Sequence, residues 1–93
     1  MRKSDSYASI FDPITNAAEK AANLHTRSEL LQKISEIVHE SGWEEADAAR
    51  HCGISQPRMD DLLRGRVSHF SLDALVNIAT ALGLRVHVEL GPA

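Results

Sequence analysis

The stretch "WEEADAARHCGISQPRMDDLLRGR", residues 43–66, places two short amphipathic helices on either side of a single glycine. Its periodicity predicts one helix over residues 44–51 and another over residues 55–64. Gly53 supplies the positive φ that a tight turn needs, and Ala49 is small enough for the two helices to cross closely. Apolar side chains then share an inner face: Ala48, Cys52, Ile54, Met59 and Leu62. The spacing predicts two helices held at a fixed angle across a glycine turn.

The outer side of the second helix is polar, as a helix that reads a DNA groove requires. Gln56 and Arg58 are placed to reach base edges, while Ser55 caps the helix beside the DNA backbone. Pro57 is tolerated in the first turn because an amide there has no intrahelical acceptor. This helix-turn-helix unit is predicted to bind double-stranded DNA through a set of seven residues: Ser55, Gln56, Pro57, Arg58, Asp61, Arg64 and Arg66.

The charged residues Asp61, Arg64 and Arg66 at the end of this helix can each be interpreted in two ways. Arg64 and Arg66 flank Gly65, where guanidinium groups either meet DNA phosphates or complement a helix C-terminus. Asp61 could accept a hydrogen bond from a cytosine amine, or it could bias the protein against unwanted sites. Asp60 is placed to form an ion pair with Arg64, four residues on. Because residues 58–66 carry three arginines and two aspartates, a local balance of +1, we expect modest affinity per protomer and strong salt dependence.

Helices are also predicted on both sides of this unit. Apolar residues recur every three or four positions over residues 15–41, which indicates one amphipathic helix or two in tandem, with any break at residues 25–29. Its N-cap is Asp12, with Pro13 in the first turn, or else Asn16. Gly42 is placed to end it. A further helix begins at an Ser71 N-cap and ends at Gly83.

The tail "LRVHVEL", residues 84–90, alternates strictly between apolar and polar residues, which predicts a β-strand. A lone strand needs a neighbour, which could be the N-terminal arm, a second copy or another protein. Our hypothesis is that this strand pairs across a two-fold axis or covers a seam of the core. Modest affinity per protomer also favours a homodimer on a palindromic operator.

Composition limits the class of protein. The chain has 93 residues, a formal charge of -3 and one cysteine, which indicates a single globular domain without internal disulfides. With no signal peptide and no apolar run of membrane-spanning length, we expect a cytoplasmic protein that is nucleoid-associated when bound to DNA. Cys52 falls on an apolar position, and the histidines lack metal-ligand spacing. We therefore expect no enzyme, no cofactor and no metal site.

The segment from Trp43 to Leu90, above all "SQPRMDDLLRG" and "FSLDALVNIATALGLRV", resembles the Cro and phage-repressor (XRE) type of helix-turn-helix domain, in its HigA-like antitoxin branch. The resemblance implies an all-α, compact, lambda-repressor-like bundle, here with an N-terminal helical extension and a short C-terminal β-strand. The sequence pattern divides the chain into an arm (1–14), a helical segment (15–42), the helix-turn-helix domain (43–83) and the strand and tail (84–93). The branch implies an antitoxin that represses its own promoter and binds a small HigB/RelE-like ribonuclease-type toxin.

Two features bear on that implied function. Glu44 and Glu45 stand where the family usually carries a Thr-Gln or Asn-Gln pair, so its phosphate contact is not transferred to Glu45; the acids instead suit a helix N-terminus. Residues 7–24 carry apolar side chains beyond what the small domain needs, and they would dock a toxin or a second protomer. The alternatives are a stand-alone XRE-type repressor without a toxin and a protein-interaction module that has lost DNA binding.

Overall fold

The computed structural model describes residues 13–92, with side chains from residue 17 onward. Four α-helices and one short 3-10 turn follow each other along this part of the chain: α1 (Pro13–Ser41), α2 (Glu45–Cys52), α3 (Gln56–Leu63), the 3-10 turn η1 (Val67–His69) and α4 (Leu72–Ala81). The fold is therefore all-helical, as the sequence predicts. Residues 1–12, which include Asp12 and most of the predicted arm, lie outside the described residues, whereas residues 13 and 14 of that arm belong to α1.

The long helix α1 is continuous, so the interpretation as one helix is confirmed and no break occurs at residues 25–29. It begins at Pro13, which places Asn16 inside the helix rather than at its cap. Two side-chain interactions lie at the position where a break was possible. His25 Nε2 lies 3.3 Å from Glu29 Oε2, and Arg27 Nε donates to Asn23 Oδ1 at 2.6 Å. Neighbours four residues apart stabilise a helix through such pairs.

Glycine ends α2 as predicted. Gly53 has a φ of 72°, the left-handed conformation that glycine adopts without the cost of a Cβ. Its N–H donates to Arg50 O at 3.2 Å, and the N–H of Ile54 donates to Ala49 O at 3.0 Å. These two bonds satisfy carbonyls that the helix end would otherwise leave unpaired, and they fix the direction in which α3 departs.

The core confirms the predicted inner face. Ala48, Cys52, Met59 and Leu62 are buried, and Ile54 is half-buried against them. Helix α1 packs on α4 and η1, and α2 packs on both α3 and α4. The remaining buried side chains come from α1, α2, α4 and the residue that follows η1: Leu31, Ile34, Val38, Ala49, Phe70, Leu75, Ile78 and Ala79. One apolar cluster thus holds α2 and α3 against the long helix.

Trp43 fills the corner between α1 and α2. It is half-buried against the core, and its ring stacks on the His51 ring with centroids 3.9 Å apart and planes 8° apart. The Trp43 ring thus contacts both the core and an exposed histidine of α2.

The predicted C-terminal strand is absent from the described chain: residues 84–92 form neither strand nor helix. A strand requires a second backbone alongside it, and the nearest backbone partner of this segment is a helix end, since the N–H of Leu84 donates to Ala79 O at 3.0 Å. Within the described chain, the alternation of apolar and polar residues therefore does not produce the predicted strand. Across residues 13–92, no helix combines the length and the apolar character needed to span a membrane.

Candidate nucleic-acid interface

The N-terminus of α3 is organised by Ser55 and Pro57. Ser55 is the N-cap, and its Oγ accepts a hydrogen bond from the N–H of Arg58 at 3.3 Å. Pro57 occupies the second helical position, where its missing N–H has no intrahelical role. Between them, the side chain of Gln56 is exposed and makes no hydrogen bond within residues 17–92. Gln56 is thus presented at the start of the helix as predicted.

Arg58 takes a position that the sequence does not reveal. Its Nη1 donates to His69 O at 2.8 Å, and its guanidinium carbon lies 4.3 Å from the centroid of the Phe70 ring. Phe70 is buried, so the guanidinium group covers one of the ring faces and is itself half-buried. To contact a base, Arg58 would therefore use its remaining N–H groups or replace its hydrogen bond to His69 O with one to the base.

Asp61 binds two partners in the loop that follows α3. Its Oδ1 accepts from Arg66 Nη1 at 3.0 Å, and its Oδ2 lies 3.2 Å from His69 Nδ1. The hydrogen bond with His69, followed by that with Arg66, holds the pKa of the Asp61 carboxyl below its usual value. Both carboxylate oxygens are occupied inside the protein, so a cytosine amine would have to compete with these partners. His69 was not among the predicted site residues.

Arg64 forms the ion pair that its spacing from Asp60 predicts. Arg64 Nε lies 3.0 Å from Asp60 Oδ2, and 61% of the arginine side chain is exposed. Pairs this exposed stabilise a protein by about 0–1 kcal/mol, so Arg64 can leave Asp60 at little cost. The three arginines at the helix and its exit, Arg58, Arg64 and Arg66, are thus all engaged within the protein.

The loop after α3, which includes η1, accepts side-chain hydrogen bonds from two helices. Arg27 of α1 donates through Nη1 to Phe70 O at 3.1 Å and to Val67 O at 3.5 Å. Arg58 of α3 donates to the carbonyl between them, that of His69. Hydrogen bonds from a charged donor such as a guanidinium group are stronger than those between neutral groups. These contacts fix the loop that carries Arg66 and His69 relative to the exposed end of α3.

The start of α2 is acidic. Glu44 is the N-cap without a side-chain capping bond, and Glu45 and Asp47 lie in the first turn. Asp47 also pairs with Arg50 at 2.9 Å. This arrangement suits the positive end of the helix dipole, in agreement with the interpretation given for Glu44 and Glu45.

Cys52 is buried, and burial raises the pKa of its thiol. Residues 17–92 contain no cluster of three His, Cys, Asp or Glu side chains that could hold a metal ion.

The family model described as "Helix-turn-helix domain" matches residues 16–91 of the chain. No protein of curated function matches the sequence significantly. The matched span includes α2, α3, the loop and α4, together with almost all of α1.

Proposed function

The chain belongs to this helix-turn-helix domain family, and on that premise we propose that it is a sequence-specific DNA-binding transcriptional regulator. The observation that carries the proposal is the geometry of α3. Its inner face, Met59 and Leu62, is buried, whereas Gln56 is exposed at its N-terminus. In helix-turn-helix proteins, residues at the N-terminal end of the second helix contact base edges in the major groove.

Each side chain of the proposed interface has a distinct role. Gln56 and Arg58 would read base edges, with Ser55 and Pro57 setting the start of the helix against the DNA backbone. Arg64 and Arg66 would bind phosphates, and each would exchange an aspartate partner for a phosphate in doing so. Asp61 would limit binding at unwanted sites, since its charge opposes any phosphate that approaches Arg66.

At the finer level, we propose that the protein is the antitoxin of a type II toxin–antitoxin pair, that it represses its own promoter, and that it binds DNA as a homodimer. The likeness to HigA-like antitoxins supports the first part. Support for a toxin-docking surface comes from α1, whose residues 17–26 are exposed throughout, Leu24 among them. The toxin would be a small HigB/RelE-like ribonuclease.

A stand-alone repressor without a toxin would use the same interface. The two are separated by co-expression of the chain with the neighbouring gene product of its native operon. An antitoxin copurifies with that product and removes its ribonuclease activity. A stand-alone repressor binds the promoter with the same affinity in the presence and absence of that product.

The second candidate function is a protein-interaction module on the same fold. One observation favours it: Arg58, Arg64 and Arg66 all have partners within the protein, and Glu44 and Glu45 lie at the N-terminus of α2. For such a module, DNA of any sequence would bind weakly and equally.

The deciding experiment measures binding to a fluorescent duplex of the upstream promoter and to a scrambled duplex, each at two salt concentrations. Replacement of Gln56 by Ala should weaken promoter binding by about 1–3 kcal/mol and leave scrambled DNA unchanged. The matched control is Gln32→Ala, which removes an exposed glutamine from α1. Equal binding of wild-type protein to both duplexes would contradict the proposed regulator.

A further inference from the structure

The C-terminal tail exposes an apolar side that the domain leaves uncovered. Within residues 84–90, Val86 is half-buried against the core, whereas Leu84, Val88 and Leu90 are 36%, 69% and 94% exposed. In an extended segment these four residues share one face, because side chains alternate between faces. The tail therefore carries an apolar stripe of which only one residue is packed.

The tail is also open along its backbone. The N–H of Leu84 donates to Ala79 O, and residues 85–92 make no backbone-to-backbone hydrogen bond within the described chain. In an extended segment, alternate N–H groups point to opposite sides. Because the Leu84 N–H is turned toward its own helix α4, those of Arg85, His87 and Glu89 would point away from it, toward an incoming strand.

A groove lies beside the tail, between α1 and α4. Its volume is about 720 Å³, and polar and charged side chains of α1 and the tail line it together with six apolar ones: Ala22, Leu30, Leu72, Val76, Val86 and Val88. An occupant that adds a strand to the tail would cover this groove with its own apolar face. The occupant must therefore present alternating apolar residues and a charge pattern that complements that of the tail.

A second copy of the tail meets both requirements. We propose that two copies of this chain pair residues 84–90 as antiparallel strands about a two-fold axis through His87. This register places Arg85 opposite the partner's Glu89, and by symmetry Glu89 opposite the partner's Arg85. On the other face it joins apolar residues only, Leu84 with the partner's Leu90 and Val86 with the partner's Val88. Directly opposed pairs of these kinds stabilise an antiparallel ladder.

Neighbouring registers lose this complementarity. An axis through Val86 places Arg85 opposite the partner's His87, and an axis through Val88 places Arg85 opposite the partner's Gly91. When the axis lies between two residues, each apolar residue stands opposite a polar residue of the partner. Because directly opposed residues project from the same face, both faces would then mix apolar and polar side chains. Only the axis through His87 pairs both charges and all four apolar residues.

The inference deepens the proposed homodimeric regulator and rests on that part of the proposed function. It is tested in the absence of DNA, so failure of the dimer and failure of DNA binding are separate results. Arg85 and Glu89 are exposed, and replacements there leave the core intact. Circular dichroism of each variant verifies that the helices are retained.

The experiment exchanges the two charges. Arg85→Glu opposes two like charges in each homodimer, and so does Glu89→Arg; each should weaken dimerisation about tenfold or more. Mixed together, the two variants should form a heterodimer as stable as the wild type, because both charge pairs are then restored. Light scattering after size exclusion gives the masses, and a tag on one variant identifies the heterodimer. The control is Arg50→Glu on α2, which should leave the dimer unchanged.

Hydrogen exchange adds an independent readout. In the wild-type dimer, the amides of Arg85, His87 and Glu89 should exchange more slowly than those of Val86 and Val88. A monomeric wild-type protein would overturn the proposal, as would single variants that dimerise normally or a mixture that stays monomeric. Protection of these amides in a monomer would assign the groove to the N-terminal arm instead.

Discussion

The guanidinium group of Arg58 lies over the ring of Phe70, 4.3 Å from its centroid. This contact joins the exposed side of α3 to the residue that precedes the Ser71 cap of α4. The same arginine donates to His69 O at 2.8 Å. A side chain predicted only to read DNA therefore also holds the candidate reading helix in place.

The first prediction concerns this double role. Arg58→Ala should lower the free energy of unfolding by about 1 kcal/mol, since cation–π contacts contribute roughly 0.5–2 kcal/mol. Arg58→Lys keeps the charge but lacks the planar group, so it should be destabilised nearly as much. Urea unfolding of both variants measures the effect. A lysine variant as stable as the wild type would show that the stacked geometry contributes nothing.

The second prediction concerns the charge of Asp61. Asp61→Asn keeps an oxygen for Arg66 but removes the negative charge, which should raise DNA affinity at low salt. Removal of one negative charge from the interface should make the slope of log K against log salt steeper, by at most about 0.9. The matched control is Glu40→Gln, which removes one exposed acid from α1. An unchanged slope would mean that Asp61 only shapes the loop.

The third prediction uses the same variant at acid pH. Because hydrogen bonds lower the pKa of Asp61 in the folded protein, its ionised form stabilises the fold. That stabilisation is complete at pH values above the unfolded pKa of about 3.9, and it is lost as the pH falls through the lower pKa of the folded protein. The difference in unfolding free energy between wild type and Asp61→Asn should therefore shrink below about pH 4. Urea unfolding across that range tests it, and a constant difference would exclude the carboxylate as its source.

The fourth prediction isolates the turn. A Cβ added at Gly53 meets no atom within 4 Å, so Gly53→Ala carries only the cost of its φ of +72°. That cost is about 1–2 kcal/mol of unfolding free energy. Gly91→Ala is the matched control, because Gly91 also has open space and no positive φ. Equal stability of the two variants would show that the turn relaxes without loss.

The core and the N-caps of α3 and α4 could be predicted from sequence because they follow local rules. Periodicity placed Met59 and Leu62 on the buried face of α3, and the residues that follow each helix identified its end. The Ser71 cap is confirmed by its bond from the Ala74 N–H at 3.1 Å. Each of these features depends on neighbours within a few positions, which the chain order contains.

The loop network could not be predicted in the same way. Arg27 reaches Phe70 across 43 positions, and Asp61 reaches His69 across eight, from a helix into a loop. No periodic pattern links such residues, because the contacts exist only after the core has brought α1, α3 and η1 together. Sequence alone therefore assigned Arg58 and Asp61 to DNA and did not identify their partners within the protein.

The tail shows a different limit. Alternation in residues 84–90 predicts side-chain faces, but a strand is a property of two backbones. Within one chain, Leu84 bonds to the end of α4, and no backbone hydrogen bond joins the rest of the tail to the described chain. The alternation thus indicates what kind of strand the tail can pair with. It does not determine the conformation of the tail in a single chain.

Finally, the chain contains a single cysteine, and its side chain is 2% exposed in the core between α2 and its neighbours. Because Cys52 is buried and burial raises the pKa of its thiol, a thiol reagent should label it slowly in the native protein and faster when the domain opens. The rate at which Cys52 is labelled therefore reports how often the domain opens. Mass spectrometry measures that rate without any engineered probe.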